Sequence, residues 1–199
     1  MKTTIDYYLT PQSPWTYLGH KPFERIARAA GATLRPLPVD YGRIFPISGG
    51  LPLAKRAPQR QAYRLVELGR YRDYLQLPMN IQPKYFPVAG DDAARLIIAV
   101  DVHDGAPAAM QLIGAVLAAV WEQQRDIASA ATLAEMLQEC ALPAQRLEQS
   151  RTAQVEQRYA ANTQAAIDAG VFGAPSYVIE GEIFWGQDRL EFVARRLAR

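Results

Sequence analysis

The stretch Thr4-Ile5-Asp6-Tyr7-Tyr8-Leu9, followed by Thr10-Pro11-Gln12 and then Ser13-Pro14-Trp15-Thr16-Tyr17-Leu18-Gly19, decides the fold of this chain. The first six residues are aromatic and β-branched, and read as a short buried strand. Ser13-Pro14 opens a helix, with serine as N-cap and proline in the first turn, where its missing N–H goes unneeded. An apolar stripe at Trp15, Leu18, Phe23, Ile26, Ala27 and Ala30 keeps helical spacing, and Gly31 stands where the helix should stop. A second strand follows at Thr33–Val39. A strand, a helix and a strand joined this tightly predict a parallel pair with a right-handed crossover.

From Asp40 to Pro58 glycine and proline dominate, and the segment reads as irregular. Helical signals then fill 59–170: Gln59–Leu75, Asp92–His103, Ala106–Gln124, Ser129–Cys140, and Pro143–Gly170 with a break near Ser150. Strands return at Ser176–Ile179 and Glu182–Trp185 around a Glu180-Gly181 turn, an antiparallel hairpin. A last helix, Arg189–Leu197, is expected to be capped by Asp188 with Glu191 three residues on. The order βαβ, helical block, ββα predicts an α/β, thioredoxin-like fold. Its mixed four-stranded sheet is formed by 1–58 and 171–199. Residues 59–170 form a large all-helical insertion, whose last helix could pack with the sheet.

Composition narrows the function. With 199 residues the chain can bury a full core. At 49% hydrophobic, 21% charged and 10% aromatic it is not a disordered chain, and a net charge of +2 is too small for a nucleic-acid surface. The richest apolar run, Leu112–Trp121, is too short and alanine-heavy to span a bilayer. The start, Met1-Lys2-Thr3-Thr4, runs directly into the first strand, so no signal peptide is expected. A single cysteine, Cys140, excludes an internal disulfide and a multi-cysteine metal cage, and fits a reducing cytoplasm. His20 and His103 lack ligand spacing, so no metal is expected.

In a thioredoxin-like fold the working position is the start of the first helix, where a Cys-x-x-Cys pair would have its thiolate stabilised by the helix end. Here Ser13-Pro14-Trp15-Thr16 occupies it. A hydroxyl does no redox chemistry, but it can donate a hydrogen bond beside free backbone N–H groups that favour negative charge. A site suited to a thiolate but lacking a thiol suggests that the thiol arrives with a ligand, and glutathione is the abundant small thiol of a cytoplasm. Ala174-Pro175 precedes the first hairpin strand, where this fold places a cis-proline facing the active helix. A cis bond there would turn the Ala174 backbone toward a ligand.

Ser13-Pro14-Trp15-Thr16-Tyr17-Leu18-Gly19, Val171-Phe172-Gly173-Ala174-Pro175-Ser176 and Phe184-Trp185-Gly186-Gln187-Asp188-Arg189-Leu190 resemble the 2-hydroxychromene-2-carboxylate isomerases, relatives of the kappa-class glutathione transferases and of the DsbA-type oxidoreductases. Pro58-Gln59-Arg60-Gln61-Ala62-Tyr63 and Ala119-Val120-Trp121 extend the resemblance over the chain. It implies that Ser13 holds the sulfur of glutathione and that Ala174, beside Pro175, pairs by backbone with the cysteinyl part. It also implies that Trp185, Gly186, Gln187 and Asp188 bind the γ-glutamyl end, Asp188 taking the ammonium, and that Arg60 meets the ligand. Two positions depart from the family pattern: Gly50 and Ala89 each stand where asparagine is frequent.

The reaction so implied adds the thiolate to a conjugated carbon of a chromene carboxylate. The ring opens, a single bond rotates, and expulsion of glutathione leaves trans-o-hydroxybenzylidenepyruvate. The substrate is then a small aromatic carboxylate, with Arg43 or Arg60 for its charge and Trp15, Phe45 and Tyr85 for an aromatic wall. The alternative is a kappa-like transferase or peroxidase acting on another electrophile at the same Ser13. Family members are commonly homodimers. Cys140, beside acids on a helix, reads as structural. Arg64, Arg70 and Arg72, alternating with Glu67 and Asp73, read as a solvated helix face.

Overall fold

The structure is a computed structural model that describes residues 2–198. Strand β1 (Thr4–Leu9), helix α1 (Pro14–Ala29) and strand β2 (Thr33–Pro38) form the expected crossover, with β1 and β2 parallel and Ile5 level with Leu34. The hairpin β3 (Ser176–Ile179) and β4 (Glu182–Trp185) returns so that β3 pairs antiparallel with β1, giving the sheet order β2-β1-β3-β4.

Alternation along β1 assigns its two faces. Ile5, Tyr7 and Leu9 point into the larger core with Leu18, Phe23 and Ala27 of α1. There Tyr7 stacks on Tyr177 of β3 at 5.4 Å between ring centroids, and Phe23 packs against Tyr177 at 4.4 Å. Tyr8 points the other way, to Leu37, Val39 and Val178.

Between the sheet halves run α2 (Tyr41–Ser48), α3 (Pro58–Leu75), α4 (Asp91–Asp104), α5 (Ala106–Trp121), α6 (Ala130–Glu139), α7 (Arg146–Gln149) and α8 (Ala153–Asp168), and α9 (Leu190–Leu197) ends the fold. The apolar faces of α4 and α5 join the core that α1 and the sheet began, through Leu96, Ile97, Leu112, Ile113 and Trp121. The break expected near Ser150 separates α7 from α8. Helix α8 lies on the sheet's second face: Ala166 packs with Tyr8 and Val178, Asn162 donates to the Pro38 carbonyl at 3.4 Å, and the Asp40 N–H donates to Thr163 Oγ1 at 3.0 Å.

Two local expectations are corrected. Residues 40–58 are not irregular throughout: α2 forms because Asp40 Oδ1 accepts the Gly42 N–H at 2.7 Å, capping a helix that Gly49 ends at φ 75°. A short 3₁₀ turn follows at Leu53–Lys55. Asp188 is not the cap of the last helix. Gly186, at φ 105°, turns the chain early into a 3₁₀ turn, Gln187–Arg189, so Asp188 lies inside that turn and bonds Arg189 Nη1 at 2.6 Å. Helix α9 starts at Leu190 with no side-chain cap.

Candidate active site

Ser13 is 8% exposed and sits at the head of α1, in the wall of a cleft of about 840 Å³. Its Oγ accepts the Thr16 N–H at 3.2 Å, so it is a helix cap, as its sequence context predicted. That bond uses a lone pair and leaves the hydroxyl proton free to donate. Pro14 has no N–H, and the Trp15 N–H has no partner among the described residues. The hydroxyl proton and one backbone N–H therefore converge at the positive end of a helix without an acid in its first turn.

Across the cleft lie Phe172, Gly173 and Ala174. The Ala174–Pro175 peptide is cis, as expected, and so is Phe86–Pro87, which sequence reading did not foresee. Neither the N–H nor the C=O of Ala174 has a backbone partner among the described residues, an open edge for a peptide ligand. Pro175 lies behind it, its carbonyl accepting the Gly186 N–H at 2.9 Å. That bond ties the second motif to the third. The first is tied in through Gly19: a Cβ there would meet Tyr177 Oη at 2.8 Å and Gln187 Cβ at 3.0 Å, so only glycine lets α1 approach the 187–189 turn this closely.

Ser13, Trp15, Phe45, Arg60, Ala174 and Trp185 all line the cleft. Trp185 lies over Gly173, whose absent side chain makes room for the indole, and packs edge-on against Phe172 at 4.7 Å. Gly186, Gln187 and Asp188 lie next to Trp185 but are not among the lining residues, and Arg43 and Tyr85 are exposed outside the cleft. Gly50 and Ala89 line it too. At Gly50 a Cβ would fall 2.3 Å from Phe45 Cδ1, so the Phe45 ring fills the space of the missing side chain.

Arg64 overturns an expectation. It is not part of a solvated face: it lines the cleft together with Arg56 and Arg60, at intervals of four residues along one side of α3 and the turn before it. Its guanidinium lies 4.9 Å from the Phe86 ring centroid and 5.9 Å from that of Trp121, and its Nη2 is buried without a hydrogen-bond partner. Burial, and then the neighbouring charge of Arg56, push its pKa down to about 10, so it remains a cation at neutral pH. None of the three arginines joins an ion pair among the described residues. The acids of the cleft are engaged elsewhere, Asp40 in capping α2 and Asp91 in accepting from Tyr159 Oη at 3.0 Å. The cleft therefore carries more positive than negative charge, with three guanidinium groups to two carboxylates, a balance that attracts anions.

Cys140 lies outside it, buried at the end of α6, its thiol pKa raised by burial and by Glu139. Among the described residues no group of His, Cys, Asp and Glu could hold a metal ion, and no helix is long and apolar enough to cross a membrane.

A thioredoxin sheet with serine at the helix head, a cis-proline wall and a helical block over the cleft defines a class. The chain belongs to the DSBA-like thioredoxin domain family, whose profile matches residues 4–198. Within it, the 2-hydroxychromene-2-carboxylate isomerase of Pseudomonas putida is 26% identical over 204 residues, spanning 98% of this chain and 94% of that one. Human glutathione S-transferase kappa 1 is 24% identical over 207 residues, spanning 98% and 90%. A solved structure of 2-hydroxychromene-2-carboxylate isomerase superposes with a TM-score of 0.82 at 24% identity, covering 98% and 95%. The kinship read from three short motifs thus extends along the whole chain.

Proposed function

We propose that this protein is a glutathione-dependent isomerase of the 2-hydroxychromene-2-carboxylate isomerase type, acting on a chromene carboxylate or a similar conjugated aromatic acid. The carrying observation is the Ser13 hydroxyl, with a proton to donate, at the positive end of α1 in a cleft that contains no cysteine. The donor set fits a tripeptide thiol: a hydroxyl and an N–H for the sulfur, the open Ala174 edge for a peptide backbone, and Arg60 for a carboxylate. When bound, glutathione would supply the nucleophilic thiolate that this chain lacks.

The residues act on that sulfur through its charge. A free thiol has a pKa of about 8.5, and lowering it by about two units needs roughly 2.7 kcal/mol. One charge-assisted hydrogen bond contributes about 1.5–3 kcal/mol, so the Ser13 hydroxyl with the helix end is sufficient in size. Ala174 would fix the cysteinyl backbone, Arg60 would take a carboxylate, and Trp185 would close the mouth over the γ-glutamyl end. Asp188, already bonded to Arg189, would share its carboxylate between that guanidinium and the ligand's ammonium. The absence of a second cysteine suits a reducing, cytoplasmic setting.

A second reading, a kappa-like transferase, is favoured by the human relative and uses the same Ser13. Calorimetry with glutathione, followed by thiol counting during turnover of a chromene carboxylate, tests both. Binding with the thiol returned unchanged supports the isomerase, and stoichiometric loss of thiol supports the transferase. No binding at millimolar glutathione overturns both readings.

A further inference from the structure

We propose that Arg64 determines substrate specificity, its guanidinium receiving the carboxylate of the second substrate and so selecting conjugated acids over neutral electrophiles. This rests on the glutathione reading but concerns the other half of the cleft. An arginine with no acid beside it and one Nη buried without a partner is destabilising in a folded chain. A buried polar group left unsatisfied costs about 1–3 kcal/mol, and more when charged. Among the described residues the rings of Phe86 and Trp121, at 4.9 and 5.9 Å, attract the cation without satisfying its N–H groups. A group kept so is one that awaits a partner.

The chemistry of that partner follows from its surroundings. A guanidinium presents a planar fork that matches a carboxylate in bidentate fashion. Lying over two aromatic rings, its Cζ 4.9 Å from the Phe86 centroid and 5.9 Å from that of Trp121, it is confined to one place, which favours a ligand of fixed geometry over a mobile one. Trp15, Phe45 and Phe86 border the same space, so the carboxylate must be carried on a flat apolar body. A phosphate dianion would call on a cluster of uncommitted donors. Arg56 has already given its Nε to the Leu51 carbonyl at 2.8 Å, and Arg60 is exposed to solvent. Arg56 acts on Arg64 through charge: two like cations in one cleft gain by sharing an anion.

The test uses trans-cinnamate and its neutral analogue cinnamamide as probes, titrated into the full-length protein with and without glutathione and followed by tryptophan fluorescence. The wild type should bind cinnamate about tenfold to a hundredfold more tightly than cinnamamide, the size of one charge-assisted hydrogen-bond pair. Arg64→Met should erase that preference and leave glutathione affinity unchanged, while Arg64→Lys should retain part of it. A merely structural Arg64 would lower the melting temperature when replaced; an unpaired one should leave it level or raise it. The proposal is overturned if the wild type does not discriminate, or if Arg64→Met weakens glutathione while the cinnamate preference persists. Failure of the wild type to bind glutathione would sink the isomerase reading alone, because the cinnamate preference is also read without it.

Discussion

Ser13→Ala separates a helix cap from a catalytic group, because the two roles have different sizes and different readouts. Losing the bond from the Thr16 N–H, 3.2 Å long in the structure, should cost about 1 kcal/mol of stability. Losing the hydrogen bond to a bound thiolate should cost about 1.5–3 kcal/mol, which raises the pKa of bound glutathione by about one to two units. Ser13→Asp completes the design. Its carboxylate still accepts from Thr16 and suits a helix start that lacks an acid, so stability should be kept or raised. It offers no proton at neutral pH and places a negative charge against the sulfur. At about 4 Å and an effective dielectric near 20 that repulsion is about 4 kcal/mol. Melting temperatures should therefore rank Ser13→Asp at or above wild type, with Ser13→Ala below. Thiolate formation, followed by its ultraviolet absorbance across a pH titration of the glutathione complex, should rank wild type first, Ser13→Ala next and Ser13→Asp last. If the bound-thiol pKa in Ser13→Ala equals that of the wild type, Ser13 is a cap and the mechanism is wrong.

Other outcomes follow from single contacts. Gly19→Ala gains helix propensity but drives a methyl into Tyr177 and Gln187, so melting should fall by about 2–8 °C for a net loss of about 1–2 kcal/mol; a rise would mean that propensity dominates. Gly50→Ala must displace the Phe45 ring, and aromatic carboxylates should then bind more weakly while glutathione binds as before; unchanged cinnamate affinity would remove Phe45 from the pocket. His20, buried between Tyr7 Oη at 3.3 Å and the Met110 carbonyl at 3.1 Å, has its pKa pushed down to about 4 by burial, so it is neutral when folded. The unfolded chain takes up the proton first, so the neutral ring's contribution is complete above about pH 6.5. About 3 kcal/mol of it is lost as pH falls toward 4. Urea midpoints should drop across that window in the wild type and less in His20→Gln; parallel slopes would refute the assignment.

What could be read from the sequence was what local chemistry decides. Ser13-Pro14 and Gly31 bound α1 because caps and stops act over a few residues. Residues 174 and 175 stood out because thioredoxin-like folds place a proline there. Helix α2 escaped notice because Pro46 and its glycines outweighed one capping aspartate, Asp40, whose bond to Gly42 exists only once the chain has turned. Asp188 was misplaced for a similar reason: the positive φ of Gly186 moved the helix start by a residue or two. Arg64 was missed because the acids near it in sequence imply pairing. In space Glu67 pairs with Arg70 instead, while Phe86 and Trp121, distant in sequence, enclose Arg64. The available signal was the spacing of Arg56, Arg60 and Arg64, four residues apart with no acid interleaved.

The sheet order also governs how the protein comes into being. Strand β1 lies at the centre of the sheet, yet its partner on one side, β3, leaves the ribosome only after the entire helical block. Until then Tyr7 lacks the Tyr177 ring it stacks on, and one edge of β1 has no strand to bond. A pairing of such high contact order is slow to form, and an exposed apolar edge invites wrong partners meanwhile. The helices synthesised in between can cover the nascent βαβ unit, sheltering it until Ser176–Ile179 slides into place. The Ser13 cleft, whose far wall is made by Phe172–Ala174 just before that strand and by Trp185 of its hairpin partner, is therefore completed only after the helical block has been made.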